Sequence, residues 1–211
     1  MRWGHCCELT VARINESWFN NGVARPKTIT DERLLAAALV VIGRRGPEFT
    51  VADVAAEAGV SVGTIAQRFG SKSGLLQEIS RLATRDAVSR MRVAAAAEPD
   101  PVEGLRAALF TLFSELADPE VAANSLAQLG VDLVDPALRA LLVEHYRAVE
   151  DELCDLVRAA ALPSAPPPAL AGRVLAGLVN GISMDWSIRP RGPLADRMAE
   201  DVDAVLNTWR V

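Results

Sequence analysis

From Thr28 onward the apolar residues recur three and four positions apart, the spacing of one helix face, and capping residues and breakers divide them into segments. Thr30 is placed to cap a helix that carries Leu35, Ala38, Leu39 and Ile42 on one face, and Gly46-Pro47 ends it. Thr50 and Asp53 form a T-x-x-D capping pattern ahead of Val54, Ala55 and Ala58, and Gly59 stops this helix after about two turns. Ser61 caps a third helix with Ile65 and Phe69 turned inward, and Gly70 ends it. Ser71 opens a longer fourth helix with Leu75, Leu76, Ile79, Leu82 and Ala83.

Three Asp-Pro pairs punctuate the rest of the chain. Asp100-Pro101, Asp118-Pro119 and Asp135-Pro136 each set a cap before a proline suited to the first helical turn. The spacing predicts helices near 101–117, 119–132 and 136–161. Leu105, Leu109, Leu112 and Leu116 make one inner stripe; Leu138, Leu142, His145, Val149, Leu153 and Leu156 make another. The stretch LPSAPPPAL breaks the pattern with four prolines, and two further helices are predicted near 167–188 and 193–209.

Composition agrees with an all-α chain. Of the 211 residues half are apolar, with Ala and Leu prominent and few aromatics. No run of about 18 apolar residues marks a membrane span and no signal-type apolar region opens the chain, so a cytoplasmic protein is expected. Three cysteines fit a reduced setting. His5 and His145 are the only histidines and no catalytic set surrounds either, so catalytic residues, metal and cofactors are all read as none.

The net charge of −5 is unevenly spread. Residues 25–92 carry +4 and residues 93–211 carry −9, which directs any polyanion to the first part. Residues 1–22 stand apart, with Asn15, Asn20, Asn21, Cys6 and Cys7, and with no clean period. Adjacent cysteines match no usual zinc spacing. Residues 1–27 are read as a disordered extension, or one ending in a basic arm through Arg25 and Lys27; translation from a later start at Val23 would give the same break.

Two short helices joined by a tight glycine-containing turn form a helix-turn-helix. The second, VGTIAQRF, is short, and its leading residues are small and uncharged. Such a helix can press its N-terminal end against base edges in the major groove. Val62 and Gly63 permit close approach, Thr64 can meet a thymine methyl or donate a hydrogen bond, and Gln67 can read adenine. From the residues alone, a short helix at a protein contact explains the same profile.

The stretch FTVADVAAEAGVSVGTIAQRFGSKSGLLQEI resembles the DNA-binding domain of the TetR family of bacterial transcriptional regulators. Thr50, Val54, Ala55, Ala58, Gly59, Val60, Ser61, Gly63, Thr64, Phe69, Ser71, Lys72 and Leu75 fit the family pattern in register, and the likeness spans about residues 28–80. The resemblance implies that Thr50 and Lys72 bind phosphate at helix N-termini, and that Gly63 and Thr64 lie at base edges or backbone. Two departures remove contacts. Ala66 stands where the family usually has a phosphate-binding tyrosine, and Val62 where it often has lysine; Arg68 is a candidate to compensate for the first.

The resemblance also implies the architecture: a three-helix helix-turn-helix domain over 28–75, then a variable helical ligand-binding and dimerisation domain over 76–211. Phe110, Phe113, His145, Tyr146 and Trp186 are the candidate pocket residues, although aromatics in a helical body are more often core. Gly177 and Gly181, four apart, with Leu178, Val202, Val205 and Trp209, are the candidate dimer surface; Ile182 and Trp186 add apolar area. The expected function is a repressor that binds a palindromic operator in double-stranded DNA as a homodimer and is released by an unknown small-molecule inducer. The alternative is a helical ligand-binding or scaffolding dimer that has lost specific DNA binding. A helical enzyme has no residues in its favour.

Overall fold

The computed structural model describes residues 29–113, 116 and 118–211, and the readings made for residues 1–27 lie outside them. Asp31–Val211 forms one compact unit. Among the described residues it holds nine α-helices: α1 (Asp31–Arg45), α2 (Val51–Ala58), α3 (Val62–Phe69), α4 (Lys72–Ala96), α5 (Pro101–Thr111), α6 (Pro119–Val134), α7 (Pro136–Ala160), α8 (Pro168–Ile188) and α9 (Leu194–Trp209). A short 3-10 turn, Gly46–Glu48, joins α1 to α2.

The N-terminal helices start and stop where local chemistry directs. Thr50 closes a full capping box with Asp53 and α2 ends on Gly59, whose φ of 69° is a left-handed conformation that glycine adopts without cost. The Ser61 side chain accepts from Thr64 N–H at the head of α3, and Ser71 accepts from Gly74 N–H at the head of α4. Leu34, Ala38, Phe49, Val54, Ile65 and Leu75 are fully buried and hold these short helices together. Leu39, expected on the inner stripe of α1, is exposed. The buried stripe is Leu34, Leu35, Ala38, Val41 and Ile42, and the position after Ala38 lies about 100° round the helix from it.

In the body all three Asp-Pro starts occur as read. Asp100, Asp118 and Asp135 each accept from backbone N–H groups of the following turn. Met91, Leu105, Leu109, Leu153, Leu175 and Val179 build the packed centre. Helix α5 is shorter than its apolar stripe suggests. It ends at Thr111, because Leu112 N–H bonds to Leu109 C=O and Leu116 N–H to Phe113 C=O, tight turns that abandon the α-helical ladder. Leu112 and Leu116 still pack against the core from outside the helix. Across the body, Arg106 makes a two-pronged pair with Asp203 (2.5 and 3.0 Å) and Arg210 reaches Glu103 (2.7 Å), both joining α5 to α9.

Candidate DNA interface and regulatory body

Helix α3 is held by its buried side. Ile65 is 1% exposed, whereas Val62, Gly63, Ala66 and Gln67 face solvent and Val62 is 49% exposed. Thr64 Oγ1 lies 3.0 Å from Ser61 Oγ, so the cap fixes its rotamer beside Val62 and Gly63. The residues proposed to meet base edges therefore share one exposed helix end.

The flanking anchors are engaged within the chain. Thr50 Oγ1 and N–H both donate to Asp53 Oδ2 at 2.8 Å, and the Thr50 hydroxyl bond above all holds the Asp53 carboxyl below the ordinary carboxylate range. Lys72, in the first turn of α4, donates from Nζ to the carbonyls of Pro47 and Phe49, each at 2.7 Å, and stands 4.0 Å from the centre of the Phe49 ring. An ammonium carries three N–H donors. Two of them brace the turn ahead of α2, and the cation lies against the Phe49 ring. Arg68 donates to Asp31 Oδ1 at 2.5 Å, so the residue offered in place of the missing tyrosine is tied to the start of α1.

Sequence reading passed over Arg44 and Arg45. Arg45 lies 3.3 Å from Asp53, which places a second cation beside the Thr50 cap, and Arg44 pairs with Glu57 at 2.9 Å. The signal was present as a basic pair in the last turn of α1, where it also complements the helix dipole.

The five pocket candidates do not converge on one lining. Phe110 and Phe113 pack half-buried against the core, with the Arg106 guanidinium 4.7 Å from the Phe110 ring centre. Trp186 is 3% exposed and its indole N–H donates to Gly192 C=O at 3.0 Å, so it packs the junction of α8 and α9. Tyr146 is 37% exposed and meets only the edge of His145 among rings, 5.9 Å between centres. His145 Nδ1 is 3.2 Å from Thr84 Oγ1, which spends its own proton on Ser80 C=O. Nδ1 is therefore the donor, and burial pushes the imidazole below its ordinary pKa, keeping it neutral near pH 7. An open cleft of about 340 Å³ lies elsewhere, between α4, α5 and α7, with Ala95, Gly104 and Leu156 in its wall and the buried Glu152 carboxylate 2.7 Å from Arg92 Nε.

The proposed dimer residues divide. Gly177 and Gly181 are exposed, with open space where a Cβ would stand. Leu178, Val205 and Trp209 are half-buried. Val202 is 0% exposed within its own chain, and Ile182 is buried too, so these two belong to the core rather than to an outer face. Four further residues share the exposed face. Leu170, Val174, Met184 and Ile188 are exposed apolar side chains on the same α8 face as the two glycines. Positions 170, 174, 177, 181, 184 and 188 follow alternating steps of four and three, the spacing of a coiled-coil seam, which is legible in the sequence. No helix among the described residues is long and apolar enough to cross a membrane.

Comparison with known proteins places these features. Residues 34–79 match the model of bacterial regulatory proteins of the tetR family, and residues 101–209 match that of the BetI-type transcriptional repressor C-terminal region. The chain is 33% identical over 178 residues to the HTH-type transcriptional regulator BetI of Burkholderia cenocepacia, covering 82% of this chain and 89% of that protein. It is 34% identical over 165 residues to BetI of Paraburkholderia xenovorans, covering 76% and 81%. Among solved structures, a transcriptional regulator from Rhodococcus shares the fold with a TM-score of 0.69 at 22% identity, over 87% of this chain and 99% of that one. SmeT, repressor of a Stenotrophomonas maltophilia multidrug efflux pump, gives 0.65 at 22% identity, over 86% and 90%. The Bacillus subtilis regulator FadR, solved with stearoyl-CoA, gives 0.67 at 21%, over 85% and 97%.

Proposed function

The chain belongs to the TetR family of bacterial regulatory proteins and is a ligand-responsive, DNA-binding transcriptional regulator; from that premise we propose that it is a cytoplasmic repressor, without catalytic activity, released from a palindromic operator by a small molecule. The observation that carries the reading is the exposed head of α3, where Val62, Gly63 and Thr64 stand beside Gln67 with the helix anchored from behind by Ile65. Thr50 and Lys72, with the added charge of Arg45, flank it at the starts of α2 and α4 as phosphate anchors. Anchors supply affinity for any duplex and α3 supplies the sequence preference.

The working form is a homodimer joined through the α8 seam, with Gly177 and Gly181 admitting a second helix at close range. Two copies of α3 then reach successive major grooves only when their separation is about 34 Å or a multiple of it. A ligand held by the body releases the operator if it prefers the state with the wrong separation. A tenfold preference supplies about 1.4 kcal/mol per site. The experiment is selection of bound fragments from genomic DNA, followed by operator titration with and without a ligand found by thermal-shift screening. A shared, two-fold-symmetric site that loosens on ligand addition is expected. A saturating ligand that leaves operator affinity unchanged overturns the inducer part of the reading.

A further inference from the structure

Helix α6 sits on the last turn of α1 through a polar contact with close packing around it. Asn124 Nδ2 donates to Gly43 C=O at 2.9 Å, satisfying one of the carbonyls that the end of α1 leaves without a helical partner. A methyl group at Gly43 would meet Val121 Cγ1 at 3.2 Å. At Gly46, where φ is +56°, a Cβ would stand 3.1 Å from Asn124 Oδ1. Body and DNA-binding helices therefore touch across two glycines, where an added side chain would force its neighbour to shift.

Beyond Gly46 the chain runs directly into the anchor region. Pro47 and Phe49 come at once, and theirs are the two carbonyls that Lys72 Nζ grips. Phe49 is buried beneath the Lys72 ammonium, and Thr50 is the next residue. One short segment, Gly43 to Thr50, is thus held by Asn124 at one end and by Lys72 at the other. Asn124 itself bonds α1 on the body side of that segment, so it touches no DNA-facing group.

We infer that Asn124 is a positioning residue for DNA binding: it caps α1 from the body and thereby sets the turn that aims Lys72 and Thr50 at the phosphate backbone. This rests on the reading of Lys72 as a phosphate anchor. Because it works through an anchor and not through α3, its loss lowers affinity for every duplex and leaves base preference alone.

A double-mutant cycle on a random-sequence duplex of about 30 base pairs tests it, read by fluorescence anisotropy across a salt series, with circular dichroism showing each variant folded at the assay temperature. Lys72→Ala weakens binding about tenfold and lowers the salt slope by about one. Asn124→Ala weakens it by about three- to tenfold, and Asn124→Ala with Lys72→Ala binds within about twofold of Lys72→Ala alone, since the two act through one contact. Should Asn124→Ala not fold, the cycle is run with Gly43→Ala, whose loss Val121→Ala restores by making room for the methyl. Single effects that multiply in the double variant, or an Asn124→Ala protein that binds like wild type, overturn the inference. A wild-type protein that binds no duplex, or binds it as well without Lys72, overturns the anchor reading beneath it.

Discussion

The DNA-binding end and the helical body are defined by different means. At the N-terminal end α2, α3 and α4 start by their own chemistry: side chains of Thr50, Ser61 and Ser71 cap them, and glycines in positive-φ conformations end the first two. In the body the starts of α5, α6 and α7 are local, but α8 and α9 begin after Pro167 and Pro193 with no side-chain cap, and α7 ends on Ala161, a non-glycine residue with φ of +46°. The helices α8 and α9 instead start at prolines, which cannot continue a preceding helix. Side-chain caps bound the short helices of the N-terminal end, prolines bound much of the body, and tertiary contacts such as Asn124 to Gly43 join the two.

Substitutions in the two regions sharpen this contrast. The largest effect is expected in the body. Leu153, fully buried in α7, loses about 2–5 kcal/mol of stability on change to Ala, seen as a fall in Tm. A change of that size that left the Tm in place would mean the body is not held by its core.

The next effect lowers stability less and function more. Thr50→Ala removes a capping box, costing about 1 kcal/mol, and weakens binding to all duplexes. Gln67→Ala, on an exposed position, leaves the Tm unchanged and relaxes preference at particular bases. Equal losses from both on operator and random DNA would erase the division between anchor and reader. On the outer face of the body, Met184→Arg is expected to shift the protein from dimer to monomer in analytical ultracentrifugation with its helical signal retained; a dimer that survives that charge places the seam elsewhere.

A smaller effect depends on pH. Burial lowers the folded pKa of His145 below the ordinary value of 6.5, so the unfolded chain takes up the proton first. Stability is therefore full above that value and declines as pH falls from 6.5 through the lowered folded pKa. Asp132, raised by burial, works in the opposite sense at lower pH, since it favours the protonated folded form. In His145→Gln the decline just below pH 6.5 should disappear. If it persists, another group is titrating.

Legibility in the sequence divides along the same line. The caps of α2 to α4 and the exposed profile of α3 need only neighbours in the chain, so pattern and spacing located them. The exposed stripe on α8 is equally local, yet Gly177 and Gly181 stand out while Leu170, Val174, Met184 and Ile188 on the same face read as ordinary helix residues. Other features had no local signature. Val202 and Trp186 are apolar on a helix in either setting, and only the pairing of α8 with α9 makes them core. The second task of Lys72, bracing the carbonyls of Pro47 and Phe49, has no local sign, because the fold brings them to it from more than twenty positions away. Asn124 and Gly43 are 81 positions apart and carry no motif.

The central claim is that the head of α3 reads DNA. Genomic fragment selection with the wild-type protein and with Thr64→Ala, Gln67→Ala tests it most directly. The wild type should enrich a small set of sites sharing a two-fold-symmetric sequence, and the double variant should lose that shared sequence while still retaining DNA at low salt. Enrichment of the same sites by both proteins, or of none by the wild type, would contradict it.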